Sequence, residues 1–349
     1  MSDLDVAVIG GGQAALAAGY FLRRSGLSFQ LLDAEPEPGG AWRHTWPSLR
    51  LFSPARWSSL PGWLMPPTSA TYPTRDEALA YLAAYEQRYE LPVRRPVRVR
   101  SVERAGEDLR LLLADGGELV ARAVISATGT WSRPHRPQFT GQEQFAGRIV
   151  HSAEHAGPAS FSGQRVLVVG AGNSGAQIFA DLVDHADVQW VTQEPPVFLP
   201  DDVDGQVLFD QATVRYQAIK EGRTPPPPRS LGDIVMVESV RAIRERGLLE
   251  ARPLFTQLTA NGVQWPDGSS SAVDAIILAT GFRPALDHLA PLATPNERGR
   301  LEMDGLHAAA HPRLFPLGYG NWTGFASATL VGAGRAAKAV VDAVTKTLS

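Results

Sequence analysis

The chain contains no cysteine. That excludes disulfides, thiolate metal sites and every redox mechanism that cycles a Cys pair or a sulfenic acid. Neither sign of charge dominates: 33 Lys and Arg stand against 36 Asp and Glu, a net charge of -3. Because both signs are scattered, a nucleic-acid or anionic-membrane surface is not expected. No apolar run approaches the ~20 residues of a membrane-spanning helix. The N-terminus, MSDLDVAVIG, lacks a basic leader and enters a strand pattern at once, so a signal peptide is not expected and a cytoplasmic location is. Asp201, Asp202 and Asp204 have no supporting His or Glu nearby. They read as a solvated turn, and no metal site is expected. What remains is 349 residues, 44% hydrophobic, enough for a sizeable core in about two domains.

Two glycine-rich turns stand out: GGGQAA at 10–15 after the apolar run VAVI, and GAGNSG at 170–175 after VLVV. A buried strand, a tight glycine turn and a helix N-terminus make a seat for a dinucleotide pyrophosphate. Two seats imply two dinucleotides, and an enzyme that passes electrons between them. In the first, Gly10 and Gly12 let the backbone approach the pyrophosphate, Gln13 opens the helix, and Ala15 replaces the third glycine. Asp33 ends the second strand, FQLLD, at the spacing from Gly10 that the dinucleotide fingerprint requires. There a carboxylate can take both ribose hydroxyls. Gly39, Gly40, Ala41 and Trp42 follow, and bare backbone here would let a flat ring system approach. In the second seat the candidates are Gly170, Gly172, Asn173, Ser174 and Gly175. Its second strand, VQWVT, leads into Gln193 and Glu194, with no Arg or Lys before Arg215. A 2′-phosphate needs a cation, whereas an acid bonds the 2′-hydroxyl and repels the phosphate. NADH is therefore expected over NADPH, with Gln193 and Glu194 near the adenosine ribose.

The same plan occurs twice. Residues 34–73 are rich in Pro, Trp and Ser, but Trp42, Trp46, Phe52, Trp57 and Trp63 make them too apolar for a solvated linker. They read as loop packed over a site. Thr74 and Glu77 form a capping box that opens a helix to about Tyr89. Strands are expected at 97–103, 109–113 and 118–121, with a hairpin at Asp115-Gly116, then a buried strand AVISATG at 123–129. The second half gives strand 166–170, a helix from about Asn173, strand 188–192, a hairpin at Asp267-Gly268 and VDAIILATG at 273–281. The glycine turns open at Gly10 and Gly170 and the ATG motifs at Ala127 and Ala279, so the two pairs are offset by nearly the same length of chain. This is repetition of a whole architecture. Residues 195–250 read as an insertion, with helices near 206–220 and 233–246 around the TPPPPRS break. FPLGYG at 315–320 reads as a strand, and 326–344 as a long helix that closes on the first domain. The expected fold is α/β: two Rossmann-like dinucleotide-binding domains, the second inserted into the first. The division expected is 1–154 with 286–349 for the first domain, and 155–285 for the second.

Between the two seats lies FAGRIVH, Phe145 to His151, a pattern F-x-G-x-x-x-H. Together with GGAW after Asp33 and the paired ATG motifs, the second within ATGFRP, it resembles the flavin-containing monooxygenases and their Baeyer–Villiger relatives over nearly the whole chain. The short length is similar to the compact bacterial members that accept NADH. The resemblance implies FAD on the first domain and NADH, with NADPH as a second choice, on the other. It implies that hydride reduces the flavin and that O2 adds at the flavin C4a position as a hydroperoxide. One oxygen then passes to a small soft nucleophile: a thioether, an amine or, in the Baeyer–Villiger variant, a ketone. It places Thr128, Gly129 and Thr329 with FAD, and Thr280 and Gly281 with the nicotinamide nucleotide; Asn321, also toward FAD, Trp322 and Arg229 are weaker candidates. Two departures stand out. Phe52 occupies the family's asparagine position after GGxW and cannot donate a hydrogen bond to the flavin adduct. His155 stands where the signature has an aromatic residue. His151 is either a histidine that fixes the interdomain linker or a catalytic one. The alternative function is a flavin reductase that passes electrons from NADH to a quinone, a partner protein or O2. A homodimer is expected from the general preference for twofold assemblies.

Overall fold

The computed structural model describes residues 2–201, 203, 207, 214, 218, 221–224 and 233–349. The first unit begins with strand β1 (Leu4–Ile9), helix α1 (Gln13–Leu22) and strand β2 (Phe29–Leu32). Val6, Ala7, Val8 and Ile9 are all buried, as expected of a central parallel strand covered on both faces. Helix α2 (Arg75–Arg88) follows the Trp-rich segment, with both bonds of the capping box at Thr74 and Glu77 formed. Strands β3 (Val93–Arg94), β4 (Val99–Ala105), β5 (Asp108–Leu113) and β6 (Glu118–Ser126) complete the order β3-β2-β1-β6-β5-β4.

Residues 118–126 form one strand, not the two that the sequence suggests. Ala121 serves both of its edges, pairing with Leu109 of β5 and Leu4 of β1, so the ladder continues through it.

The second unit holds β7 (Arg148–His151), β8 (Arg165–Val169), α3 (Asn173–Leu182), β9 (Asp187–Thr192), α4 (Glu238–Glu245) and β10 (Ala251–Pro253). A small antiparallel sheet of β11 (Gln257–Thr259), β12 (Gly262–Gln264) and β13 (Ser270–Ala272) precedes β14 (Ala275–Leu278). The main sheet, ordered β10-β9-β8-β14-β7, is parallel throughout. Helices α1 and α3 match in length, and each starts three positions after the first glycine of its turn, Gly10 or Gly170. Strand β7 lies ahead of the division expected at residue 155, yet it pairs with β14 in this second sheet.

The helix expected over 233–246 is shorter. Residues Ile234 to Val237 are non-helical and fully covered, with the Val235 N–H held by the Asn173 side chain of α3. The helix expected near 206–220 falls largely outside the described residues, and Asp202, Asp204 and Arg229 fall wholly outside.

The chain returns to the first sheet through the short hairpin β15 (Met303–Asp304) and β16 (His307–Ala308) and strand β17 (Leu314–Pro316), which pairs with β6 beyond the point where β5 diverges. The closing helix, α5 (Leu330–Leu348), starts four residues later than expected because Thr329 caps it. Its buried Ala333, Ala337, Val340, Val341 and Val344 repeat at helical spacing and share a core with α1. Among the described residues no helix is long and apolar enough to cross a membrane.

Candidate active site

The helix N-termini differ, and α4 has no side-chain cap but carries Glu238 in its first turn. Helices α2 and α5 are capped by the side chains of Thr74 and Thr329. Helices α1 and α3 begin at Gly12 and Gly172, with no side-chain cap and no acid in the first turn. Their leading N–H groups and the positive end of each helix dipole are left for an anion. Backbone geometry repeats as well. Gly10 has φ 121° and Gly170 φ 144°. A Cβ on either would lie 2.4 Å from the Ala127 carbonyl oxygen or 2.3 Å from that of Ala279. Ala127 and Ala279 each donate back to the strand before the turn, to Ile9 at 2.8 Å and Val169 at 2.7 Å. The two ATG motifs are thus the strand ends against which the two glycine turns lie.

In the first unit the turn faces more bare backbone: a Cβ on Gly40 would stand 2.7 Å from the Gly12 Cα. Bare backbone of Gly12 and Gly40 thus faces itself across the turn, with the Asp33 carboxylate against Gly11, an arrangement that fits an extended dinucleotide. Gln13 joins its parts. Its amide accepts from Trp42 Nε1 at 3.1 Å and donates to the Ala328 carbonyl. The structure thus brings together Gly10, Gly12, Gln13, Gly40, Trp42 and the segment holding Asn321 and Thr329. Ala15, on α1, faces the buried core, and the Asn321 side chain accepts from Ala326 N–H at 3.1 Å. A separate cleft of about 600 Å³ lies against Pro38 and the outer face of α2, and no residue of either glycine turn lines it.

Other expected site residues are committed to holding the units in place. Asn173 donates to Asp233 O at 3.0 Å and accepts from Val235 N–H at 2.9 Å, pinning the non-helical segment to α3. Trp190 Nε1 donates to Gly170 O at 2.7 Å and fixes the second turn; a Cβ on Gly175 would stand 3.3 Å from that nitrogen. Thr280 donates to His135 O, and Ala285 N–H donates to Gly129 O. The two connections between the units therefore run against each other. Ser174 is half-buried, and Gln193 and Glu194 are exposed beyond the end of β9.

Phe52 packs with Trp46 and Tyr72 against the core of the second unit. The surrounding segment is docked onto α3: Gln177 accepts from Arg50 N–H at 3.0 Å and donates to its carbonyl at 3.2 Å. Ser48 donates to Asp181. Burial raises the Asp181 carboxyl above the usual range, partly offset by that hydroxyl.

The F-x-G-x-x-x-H motif builds a corner. The Phe145 ring folds over Gly147, where a Cβ would meet it at 2.4 Å. Strand β7 then carries His151 to the second ATG. His151 is fully buried; its Nδ1 accepts from Ala153 N–H at 3.1 Å, which leaves Nε2 to donate to Gly281 O at 3.0 Å. Both nitrogens are engaged by backbone, and burial lowers the pKa of the ring.

The hub around Tyr319 was not singled out from the sequence. Its buried hydroxyl meets Ser126 Oγ at 2.6 Å and Thr128 Oγ1 at 2.7 Å, and accepts from Thr128 N–H at 3.2 Å. Ser126 also meets His288 Nε2 at 3.0 Å. This hub ties the first ATG to the C-terminal glycine-rich loop. A polar residue, Ser126, inside an apolar strand is the one signal that could have pointed to it.

Burial holds His288 and His155 neutral, with pKa values down to about 4. His155 lies edge-on to Trp46 at 6.0 Å, and neither of its ring nitrogens has a hydrogen-bond partner. In an unfolded chain both would titrate near 6.5. Between those values the unfolded state binds more protons, so stability falls as pH drops from about 6.5 to about 4. The loss is on the order of 3 kcal/mol for each histidine. Urea unfolding at stepped pH should show this slope, and His155→Phe should remove about half of it, leaving the His288 share.

Comparison with known proteins decides the family. Residues 7–222 match the pyridine nucleotide-disulphide oxidoreductase family. A flavin-containing monooxygenase from Stenotrophomonas maltophilia is 51% identical, with both chains covered in full and a TM-score of 0.92. The chain belongs to the flavin-containing monooxygenases. It is an NAD(P)H- and FAD-dependent monooxygenase, and the absence of cysteine removes the disulphide chemistry in the broader family's name. An uncharacterized CzcO-like oxidoreductase of Geobacillus kaustophilus is 32% identical over 80% of each chain. The rice indole-3-pyruvate monooxygenase YUCCA1 is 28% identical over 79% of this chain and 76% of its own.

Proposed function

We propose that this monooxygenase holds FAD on the first glycine turn and NADH on the second, and oxygenates a small thioether or amine, with ketones as the Baeyer–Villiger variant. The observation that carries the reading is the pair of helix N-termini, at Gly12 and Gly172, that have neither a side-chain cap nor an acid in the first turn, with different chemistry at the two strand ends. Asp33 is buried beside the first turn; Gln193 and Glu194 are exposed beyond the second unit's strand.

Bound FAD supplies the electron storage and the oxygen activation. The chain supplies placement. The amides of the first turn receive the pyrophosphate, and Gln13 holds Trp42 and the 318–329 loop around the same seat. Trp46, Phe52 and Tyr72 make an apolar cover, clamped to α3 through Gln177, that keeps water from the reacting atoms. His151 keeps the junction between units in register. We further propose that the first domain comprises residues 1–147 and 286–349, the division shifted ahead of β7, and that the protein is a cytoplasmic homodimer, which sedimentation tests.

The test is methyl phenyl sulfide with NADH in air, followed by chromatography. Sulfoxide that needs both enzyme and NADH supports the reading. Peroxide alone with thioethers, amines and ketones would replace it with the reductase.

A further inference from the structure

Asp33 ends β2 with only 4% of its surface exposed, and its carboxylate is half used. Arg95 Nε donates to Oδ2 at 2.7 Å, and Glu35 N–H donates to Oδ1 at 3.2 Å. A carboxylate offers about four lone-pair positions. One is left on each oxygen, the pattern that two neighbouring ribose hydroxyls require. The group lies directly against the first glycine turn: a Cβ on Gly11 would stand 2.1 Å from Oδ2.

Arg95 is held from its other side. Glu86, on α2, grips the guanidinium through both oxygens, at 2.6 Å from Nη1 and 2.7 Å from Nη2. The Arg95 side chain is 10% exposed and that of Glu86 15%. A forked guanidinium held at both ends has one orientation, and its carboxylate partner inherits it.

We propose that Arg95, braced by Glu86, is the positioning residue that aims Asp33 at the 2′- and 3′-hydroxyls of the FAD adenosine, and so sets how tightly FAD is kept. The inference rests on the reading that FAD occupies the first turn. Desolvation pushes the Asp33 carboxyl up and the Arg95 bond pulls it back. Without the guanidinium the carboxylate would both turn and take up a proton more readily, and a protonated oxygen is a poorer acceptor.

The experiment is a thermodynamic cycle on the full chain stripped of flavin. Kd is measured by flavin fluorescence for FAD and for FAD carrying 2′-deoxyadenosine. Wild type should bind the deoxy analogue about tenfold more weakly, the worth of one good hydrogen bond. Arg95→Gln should bind FAD about tenfold more weakly and should no longer tell the two flavins apart, because interacting groups do not add. Arg95→Lys, which keeps the charge and loses the fork, should also lose discrimination, and it carries the test if the glutamine variant does not fold. Full discrimination in a folded Arg95 variant overturns the role of Arg95 alone. A wild type that binds both flavins equally overturns the ribose reading of Asp33, and this proposal with it.

Discussion

Gly10→Ala should give protein with little flavin, while Gly170→Ala should give protein that keeps its flavin but is reduced by NADH far more slowly. Both substitutions add one methyl group in the same local setting. Each places a Cβ within 2.4 Å of a backbone carbonyl, at a φ that L side chains rarely adopt. The strained φ alone costs on the order of 1–3 kcal/mol. The carbonyl belongs to the ATG strand end, which cannot yield without breaking the ladder beside it, so the turn itself must move. On the proposed reading the turn seats a pyrophosphate, and misplacement of about an ångström in a positioned ligand costs about a hundredfold in rate. Flavin content per chain should fall below about a tenth for Gly10→Ala and stay near wild type for Gly170→Ala. Anaerobic bleaching of the flavin by NADH should slow by about a hundredfold or more in the latter. Equal loss of both properties in both variants would show that the units do not divide the two cofactors.

The second large effect concerns nucleotide choice. Gln193 follows Gly170 at the same spacing as Asp33 follows Gly10. It occupies the strand-end position in the second unit, exposed, with Glu194 beside it. A carboxylate there disfavours a 2′-phosphate by about 1 kcal/mol at an exposed site. NADH should therefore show the lower KM in wild type. Gln193→Arg adds a forked cation at the phosphate position and should lower the KM for NADPH by about tenfold. NADH should change little, since its hydroxyl gains no charge partner. Steady-state kinetics with both nucleotides checks this, and a wild-type KM lower for NADPH contradicts it.

Local chemistry made much of the fold legible. The strand, turn and helix around each glycine motif follow from apolar runs, missing side chains and alanine-rich continuations. The capping box at Thr74 fixed the start of α2 to the residue, because its two bonds join positions three apart. What the sequence could not show depends on distant partners. Strand β6 continues through Ala121 because β5 and β1 pair with it there from opposite edges. The Ile234–Val237 run stays out of the helix because Asn173, some sixty residues away, holds the backbone at Asp233 and Val235. Asp33 could be chosen from its spacing, whereas Arg95 and Glu86 could not: one guanidinium joins α2 to the end of β2, and nothing in their spacing announces it. Tyr319 was hidden in the same way. Its hydroxyl meets Ser126 and Thr128 across nearly two hundred residues of chain.

The central claim is that hydride enters at the second unit and that oxygen leaves, on substrate, from the first. A single turnover tests it most directly. The yellow protein is mixed with one equivalent of NADH under argon, the flavin band is followed, and air is then admitted with methyl phenyl sulfide. The account predicts full bleaching, return of the colour in air, and sulfoxide approaching one per flavin, with peroxide making up any shortfall caused by Phe52. Full bleaching followed by peroxide alone, whatever substrate is present, would contradict it.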